Sequence, residues 1–70
     1  MKDPLSITGN GKDHEVPAGT TVAGLLDLLE IGREGSAVER NKEIVPRSRH
    51  EQTTLEAGDR IEIVTAVGGG

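Results

Sequence analysis

One segment of this chain carries an apolar stripe at helical spacing. Val22, Leu25, Leu26 and Leu29 stand at i, i+3, i+4 and i+7. Leu28 and Ile31 are expected to widen the stripe, while Asp27 and Glu30 point elsewhere. The flanking runs alternate with a period of two. A single helix has one stripe to bury, and a sheet has one face that needs covering. The economical arrangement is therefore one helix lying across a sheet. Thr20 or Thr21 supplies the N-cap. Gly32 is the expected stop, since glycine adopts the left-handed conformation that ends many helices.

The strands read as follows. Leu5-Ser6-Ile7-Thr8 alternates apolar and polar, and Asn10-Gly11 then gives the strongest short hairpin signal, because both residues tolerate positive φ. The return strand is Lys12 to Val16, with His14 and Val16 on one face, and Pro17-Ala18-Gly19 ends it. Ala37 to Arg40 is a short strand, Asn41-Lys42 a turn, and Glu43-Ile44-Val45 a second short strand that Pro46 terminates. Residues 47–54 are polar and irregular, with one helical turn at most, and Leu55 is their lone apolar anchor. Glu56-Ala57-Gly58-Asp59 forms a turn. Arg60 to Val67 is the last and longest strand, with Ile61, Ile63 and Thr65 on one face and Glu62, Val64 and Ala66 on the other. The fold class is thus α+β, a β-grasp (ubiquitin-like) roll with one main helix on a mixed four- or five-stranded sheet. The final strand sits inside the sheet beside the first. Residues 1–67 form the single domain, and Gly68-Gly69-Gly70 is a flexible tail.

Composition removes several function classes. The 70 residues contain no Cys, which excludes disulfides, thiolate metal sites and a catalytic thiol. They contain no aromatic residue, so the stacking platforms of single-strand nucleic-acid binders are missing. A net charge of −4 without a Lys/Arg cluster argues against a nucleic-acid footprint. No apolar run is long enough to span a membrane, and Met1-Lys2-Asp3-Pro4 lacks the apolar stretch of a secretory signal. A cytoplasmic protein is expected, with no membrane or nucleic-acid partner. A mildly acidic surface suits partners with basic docking faces. His14 and His50 with scattered carboxylates match no metal-ligand spacing, so no metal site is expected.

The chain ends on three glycines directly after the strand-like run from Ile61 to Val67. Glycine makes up about 7% of average composition, so such a triplet arises by chance in about 0.03% of chains. A carboxylate on a bare, unhindered tail is a chemical handle that another enzyme can reach. Val67 to Gly70 can span about 13–14 Å when extended, and without Cβ atoms the backbone fits a narrow channel. Val64, Ala66 and Val67 are a candidate partner-docking patch, or else ordinary strand residues. Arg47 and Arg49 either orient a phosphate or partner carboxylate, or belong to a solvated loop.

Asn41-Lys42-Glu43-Ile44-Val45-Pro46-Arg47, then Ala57-Gly58-Asp59-Arg60-Ile61-Glu62-Ile63, then the glycine end, resemble the ThiS family, the small sulfur carriers of thiamin thiazole synthesis. The resemblance covers nearly the whole chain, including Thr20-Thr21-Val22 and the Leu25-Leu26 pair. The Asn-x-x-Ile-Val-Pro-Arg segment is its most specific part. Many members end in two glycines rather than three, and many carry an aromatic residue near Ala66. One extra residue displaces the terminal carboxylate by up to about 3.3–3.6 Å.

The resemblance implies a course of events. A ThiF-type enzyme uses ATP to adenylate the Gly70 carboxylate, with Gly68 and Gly69 entering that partner's active site. Sulfur from a desulfurase system replaces the adenylate and leaves a thiocarboxylate. A ThiG-type thiazole synthase takes the sulfur. The chain has no Gly-x-x-x-x-Gly-Lys-Ser/Thr loop, so the ATP site belongs to the partner and no bound cofactor is expected. No acid, base and nucleophile set is visible, so no catalytic residue and no enzyme activity are expected. The alternatives are a MoaD-like carrier for molybdopterin synthesis, a ubiquitin-like protein modifier, or a β-grasp interaction module with incidental glycines. The Val45-Pro46-Arg47 segment and the short length favour the ThiS-like reading over the MoaD-like one.

Overall fold

The computed structural model describes residues 4–32 and 36–65. Five strands and one α-helix follow in the order β1 (Leu5–Gly9), β2 (Lys12–Val16), α1 (Val22–Leu28), β3 (Ser36–Arg40), β4 (Glu43–Val45) and β5 (Arg60–Thr65), with a single 3₁₀ turn at Arg47–Arg49. The sheet order is β2-β1-β5-β3-β4. β1 and β5 run parallel, and the other three pairings are antiparallel. This is the expected β-grasp roll, with the last strand at its centre.

The two hairpins follow from local chemistry. Asn10 and Gly11 take φ of 51° and 83°, the doubly positive turn whose twist matches the strands it joins. Asn41 and Lys42 repeat the device at 53° and 72°. The Asn41 carboxamide also reaches across the sheet end, where Oδ1 accepts the Arg60 N–H at 2.9 Å and Nδ2 donates to Asp59 at 3.1 Å. Asp59 is 5% exposed and accepts from Arg40 Nε at 2.8 Å and the Glu56 N–H at 2.8 Å as well. Burial pushes its carboxyl up, but the Glu56 N–H, the Arg40 guanidinium and the Asn41 amide together outweigh that and hold it below the usual carboxylate value. One buried carboxylate thereby ties the β3–β4 turn to the loop before β5.

The start of α1 is fully accounted for. Thr21 is the N-cap, and its hydroxyl accepts the Gly24 N–H at 3.1 Å. Two more first-turn donors are met by the segment that follows the 3₁₀ turn. Val22 N–H donates to Thr53 O and Ala23 N–H to His50 O, both at 2.9 Å. Leu55 N–H returns the contact to Thr20 O at 2.9 Å. A polar stretch therefore runs beside the helix because it carries the carbonyls the helix needs.

The core lies between α1 and one face of the sheet. Val22, Leu25 and Leu26 meet Ile7, Val16, Val38, Val45, Leu55, Ile61 and Ile63, with Leu5, Leu29 and Ile31 packed around them.

Two expectations are corrected. The helix ends at Leu28, and the left-handed residue after it is Glu30, at φ 60°, not Gly32. Ile31 N–H donates to Leu26 O and Glu30 N–H to Asp27 O, the paired bonds of a Schellman ending. The burial of Ile31 against the core fixes this reversal two residues early. Leu28 does not widen the stripe and is 56% exposed. The stripe extends on the opposite side, where Ala23 is buried under the His50–Thr53 segment. Leu55 is the buried apolar anchor of the segment that follows the 3₁₀ turn, and a polar residue joins it. His50 is also buried, and its ring lies 3.0 Å from Val45 O through Nε2. A carbonyl can only accept, so Nε2 is the donor in this contact.

Candidate functional site

Among the described residues no helix covers the outer face of the sheet, away from α1. Along β5 the alternation buries Ile61 and Ile63 and turns Glu62 and Val64 outward. Val64 is 67% exposed. The register places Ala37 of β3 opposite Val64, and Glu39 opposite Glu62. On the far side of β3, Ile44 of β4 stands opposite Glu39 and is 73% exposed. Together Ala37, Ile44 and Val64 make an apolar patch, with Glu39, Glu62 and Asn10 around a shallow depression between them.

Of the three residues expected to dock a partner, Val64 lies on this patch. Ala66 and Val67 lie outside the described residues, as do Gly68, Gly69 and Gly70. Ile44 and Ala37 were not anticipated. Three-residue β4 is too short for its alternation to stand out, yet burial of Val45 next to Pro46 requires Ile44 to face outward.

The patch adjoins the strand that leads to the tail. Thr65, the last described residue of β5, pairs with Ser36. β5 is held by β1 on one side and β3 on the other, so Thr65 belongs to the middle strand of the sheet.

The remaining candidates stay apart from this face. Arg49 borders a shallow groove with Arg40, Ile44, Pro46 and Thr53, and Arg47 stands at the start of the 3₁₀ turn, exposed. The second cation of that groove, Arg40, is already paired with Asp59 and Glu56. His14 is half-buried on the core face of β2, opposite Ile7. It lies so close over Gly9 that a Cβ there would meet its Cδ2 at 3.1 Å. Among the described residues no three His, Cys, Asp or Glu side chains converge on a point where a metal could sit. No described helix is long and apolar enough to cross a membrane.

The ThiS family model matches residues 3–70, from before β1 through the terminal glycines. This chain belongs to the ThiS family. It is 33% identical over 66 residues to the sulfur carrier protein ThiS of Escherichia coli, a match covering 94% of this chain and all of that one. The crystal structure of a ThiS thiamine biosynthesis protein from Geobacter metallireducens superimposes with a TM-score of 0.79 at 33% identity, covering 94% of this chain and 100% of that one. A thiazole synthase of Magnetococcus marinus is 46% identical over 66 residues, which is 94% of this chain but only 20% of that protein's length. The ThiS match takes in both the outer sheet face and the tail.

Proposed function

We propose that this chain is a sulfur carrier for thiamin thiazole synthesis, with Gly70 as the loaded residue. The observation that carries the reading is that the family match runs through residue 70 and so includes all three glycines. The architecture supports it, because a tail that follows the central strand can be handled by a partner without loosening an edge of the body.

The chemistry follows from the poor reactivity of a carboxylate. A carboxylate oxygen of Gly70 attacks the α-phosphorus of ATP in a ThiF-type partner, and pyrophosphate leaves. The outer sulfur of a persulfide supplied by a desulfurase system then attacks the acyl carbon and AMP leaves, and a second thiol cleaves the acyl disulfide, departing with the sulfur's carrier as a disulfide. The resulting thiocarboxylate passes its sulfur to a ThiG-type thiazole synthase. The resemblance of a segment of a thiazole synthase to this chain supports that acceptor. The carrier is a substrate in each step, and the catalytic groups belong to its partners. Body contacts must offset the ordering of the tail, roughly 1–2 kcal/mol per residue. The Ala37, Ile44 and Val64 patch is the surface placed to supply them.

Intact mass spectrometry after incubation with ATP, an activating enzyme and a sulfur donor tests the reading. Exchange of one oxygen for sulfur, localised to Gly70, is the expected result, and Gly70→Val abolishes it without unfolding the body. A ladder of conjugates to protein lysines points instead to a modifier. Full function after removal of Gly69 and Gly70 points to a plain interaction module.

A further inference from the structure

Asn10 does more than form a turn. In the parallel ladder between β1 and β5, Thr8 N–H donates to Asp59 O at 3.0 Å and Asn10 N–H to Ile61 O at 2.9 Å. The next rung lies at Ile63, but by then the main chain has turned away at Asn10, with φ 51°. The side chain takes the missing place. Its Oδ1 accepts the Ile63 N–H at 2.7 Å, and its Nδ2 donates to the Ile63 carbonyl at 3.1 Å. One carboxamide thus pairs with both backbone groups of Ile63, as a residue of a neighbouring strand does.

The position of this clamp is what matters. Ile63 comes two residues before Thr65, where described β5 ends, and β3 holds the opposite side as far as Ser36. From Ile63 to Thr65, this carboxamide is the β1-side hydrogen-bond partner of β5 among the described residues. The turn itself does not need it, since glycine satisfies a positive φ equally well. Aspartate tolerates the turn too but lacks the donor for the Ile63 carbonyl.

We propose that Asn10 is a positioning residue for the reactive tail, its carboxamide fixing the course of β5 through Ile63, close to the strand's last described residue. The inference rests on the carrier reading. Its physical basis is preorganisation. With the body already docked, a tail led by a strand of fixed direction loses less freedom in reaching the reactive pose than one led by a frayed strand, so the effect falls on kcat. Asn10 touches neither ATP nor the acyl carbon and acts through β5 alone.

The test is steady-state adenylation and thiocarboxylation of wild type, Asn10→Gly, Asn10→Asp and Thr21→Ala by the activating enzyme, alongside amide hydrogen exchange. Asn10→Gly keeps the turn and loses both bonds. It is expected to lower kcat about tenfold, a change equal to ~1.4 kcal/mol in the barrier. The KM for the carrier stays within about twofold, and exchange quickens at Ile63 while the Lys12–Val16 strand is unaffected. Asn10→Asp keeps the acceptor for the Ile63 N–H and falls between the two. It also serves as the readout if Asn10→Gly does not stay folded. Thr21→Ala weakens the helix cap and leaves kcat unchanged, which separates positioning from general instability.

A folded Asn10→Gly loaded at the wild-type rate overturns the proposal. So does a rise in KM alone, which marks Asn10 as a simple contact residue. Failure of wild type to be loaded at all is a different result. It sinks the carrier reading, and the inference with it.

Discussion

Glu39 on β3 and Glu62 on β5 stand opposite each other on the outer sheet face, in one row with the exposed Ile44 of β4 and next to the row of Ala37 and Val64. Like charges in that relation repel, and the sheet is less stable for it. Glu62→Gln is therefore expected to raise unfolding free energy by about 0.2–1 kcal/mol in urea titrations at low salt. The gain shrinks as salt shortens the screening length towards ~3 Å at 1 M. The same substitution slows association with a basic partner surface, a change read in kon and its salt dependence.

The apolar part of that face makes a separate prediction. Ile44 is mostly solvated in the free protein, so Ile44→Ser changes stability by no more than about 0.5 kcal/mol. A central apolar contact in a partner interface is worth more, and truncating it typically costs upwards of ~1 kcal/mol. Loading by the activating enzyme is expected to drop by about tenfold in kcat/KM, ~1.4 kcal/mol. Unchanged kinetics for both Ile44→Ser and Val64→Ser exclude this face as the docking surface.

Asp59 links stability to pH. Its folded-state carboxyl titrates below its unfolded value, which is about 3.9 for aspartate. The stabilisation is present above that unfolded value and is lost as pH falls through the lower folded value. Unfolding free energy should thus decline on acidification below about pH 4. Asp59→Ala should flatten that decline and cost about 2–3 kcal/mol at neutral pH, since three hydrogen bonds to a buried carboxylate are lost. Chemical denaturation from pH 2 to pH 7 checks both. An acid limb as steep in Asp59→Ala as in wild type assigns it to other carboxylates.

Glu30 occupies a backbone region that disfavours side chains, at φ 60°. Left-handed geometry costs a residue with a Cβ about 1–2 kcal/mol, while glycine pays instead in unfolded-state freedom. The balance favours Glu30→Gly by about 0.5–1 kcal/mol. It also removes an acidic group from the negative end of the helix. Thermal melts at fixed pH read the gain as a higher Tm, and a lower one refutes the strain assigned to Glu30.

Much of the fold was legible in the sequence because it rests on local signals. Asn10-Gly11 marks the first hairpin, Thr21 caps the helix as one of the two threonines expected to, and Leu25 and Leu26 fall in the core. What was not legible depends on remote partners. The helix stops at Leu28 because burying Ile31 outweighs the preference of glycine for the turn. Ala23 rather than Leu28 is covered because a segment from much later in the chain lies on that side. His50 looked like part of a polar loop, and only the carbonyl of Val45 explains a buried imidazole there. In the candidate site, Val64 could be placed by strand alternation, whereas Ile44 needed the register of a three-residue strand. Ala66, Val67 and the glycines lie outside the described residues.

β5 is parallel to β1 and antiparallel to β3, and neither flank of it is an edge. A pull applied beyond Thr65 and resisted at the start of β1 loads the β1–β5 ladder lengthwise, so its rungs share the force instead of parting one after another. Such shear geometry resists a pull along the strand far better than peeling would, so the body withstands force applied through its last strand.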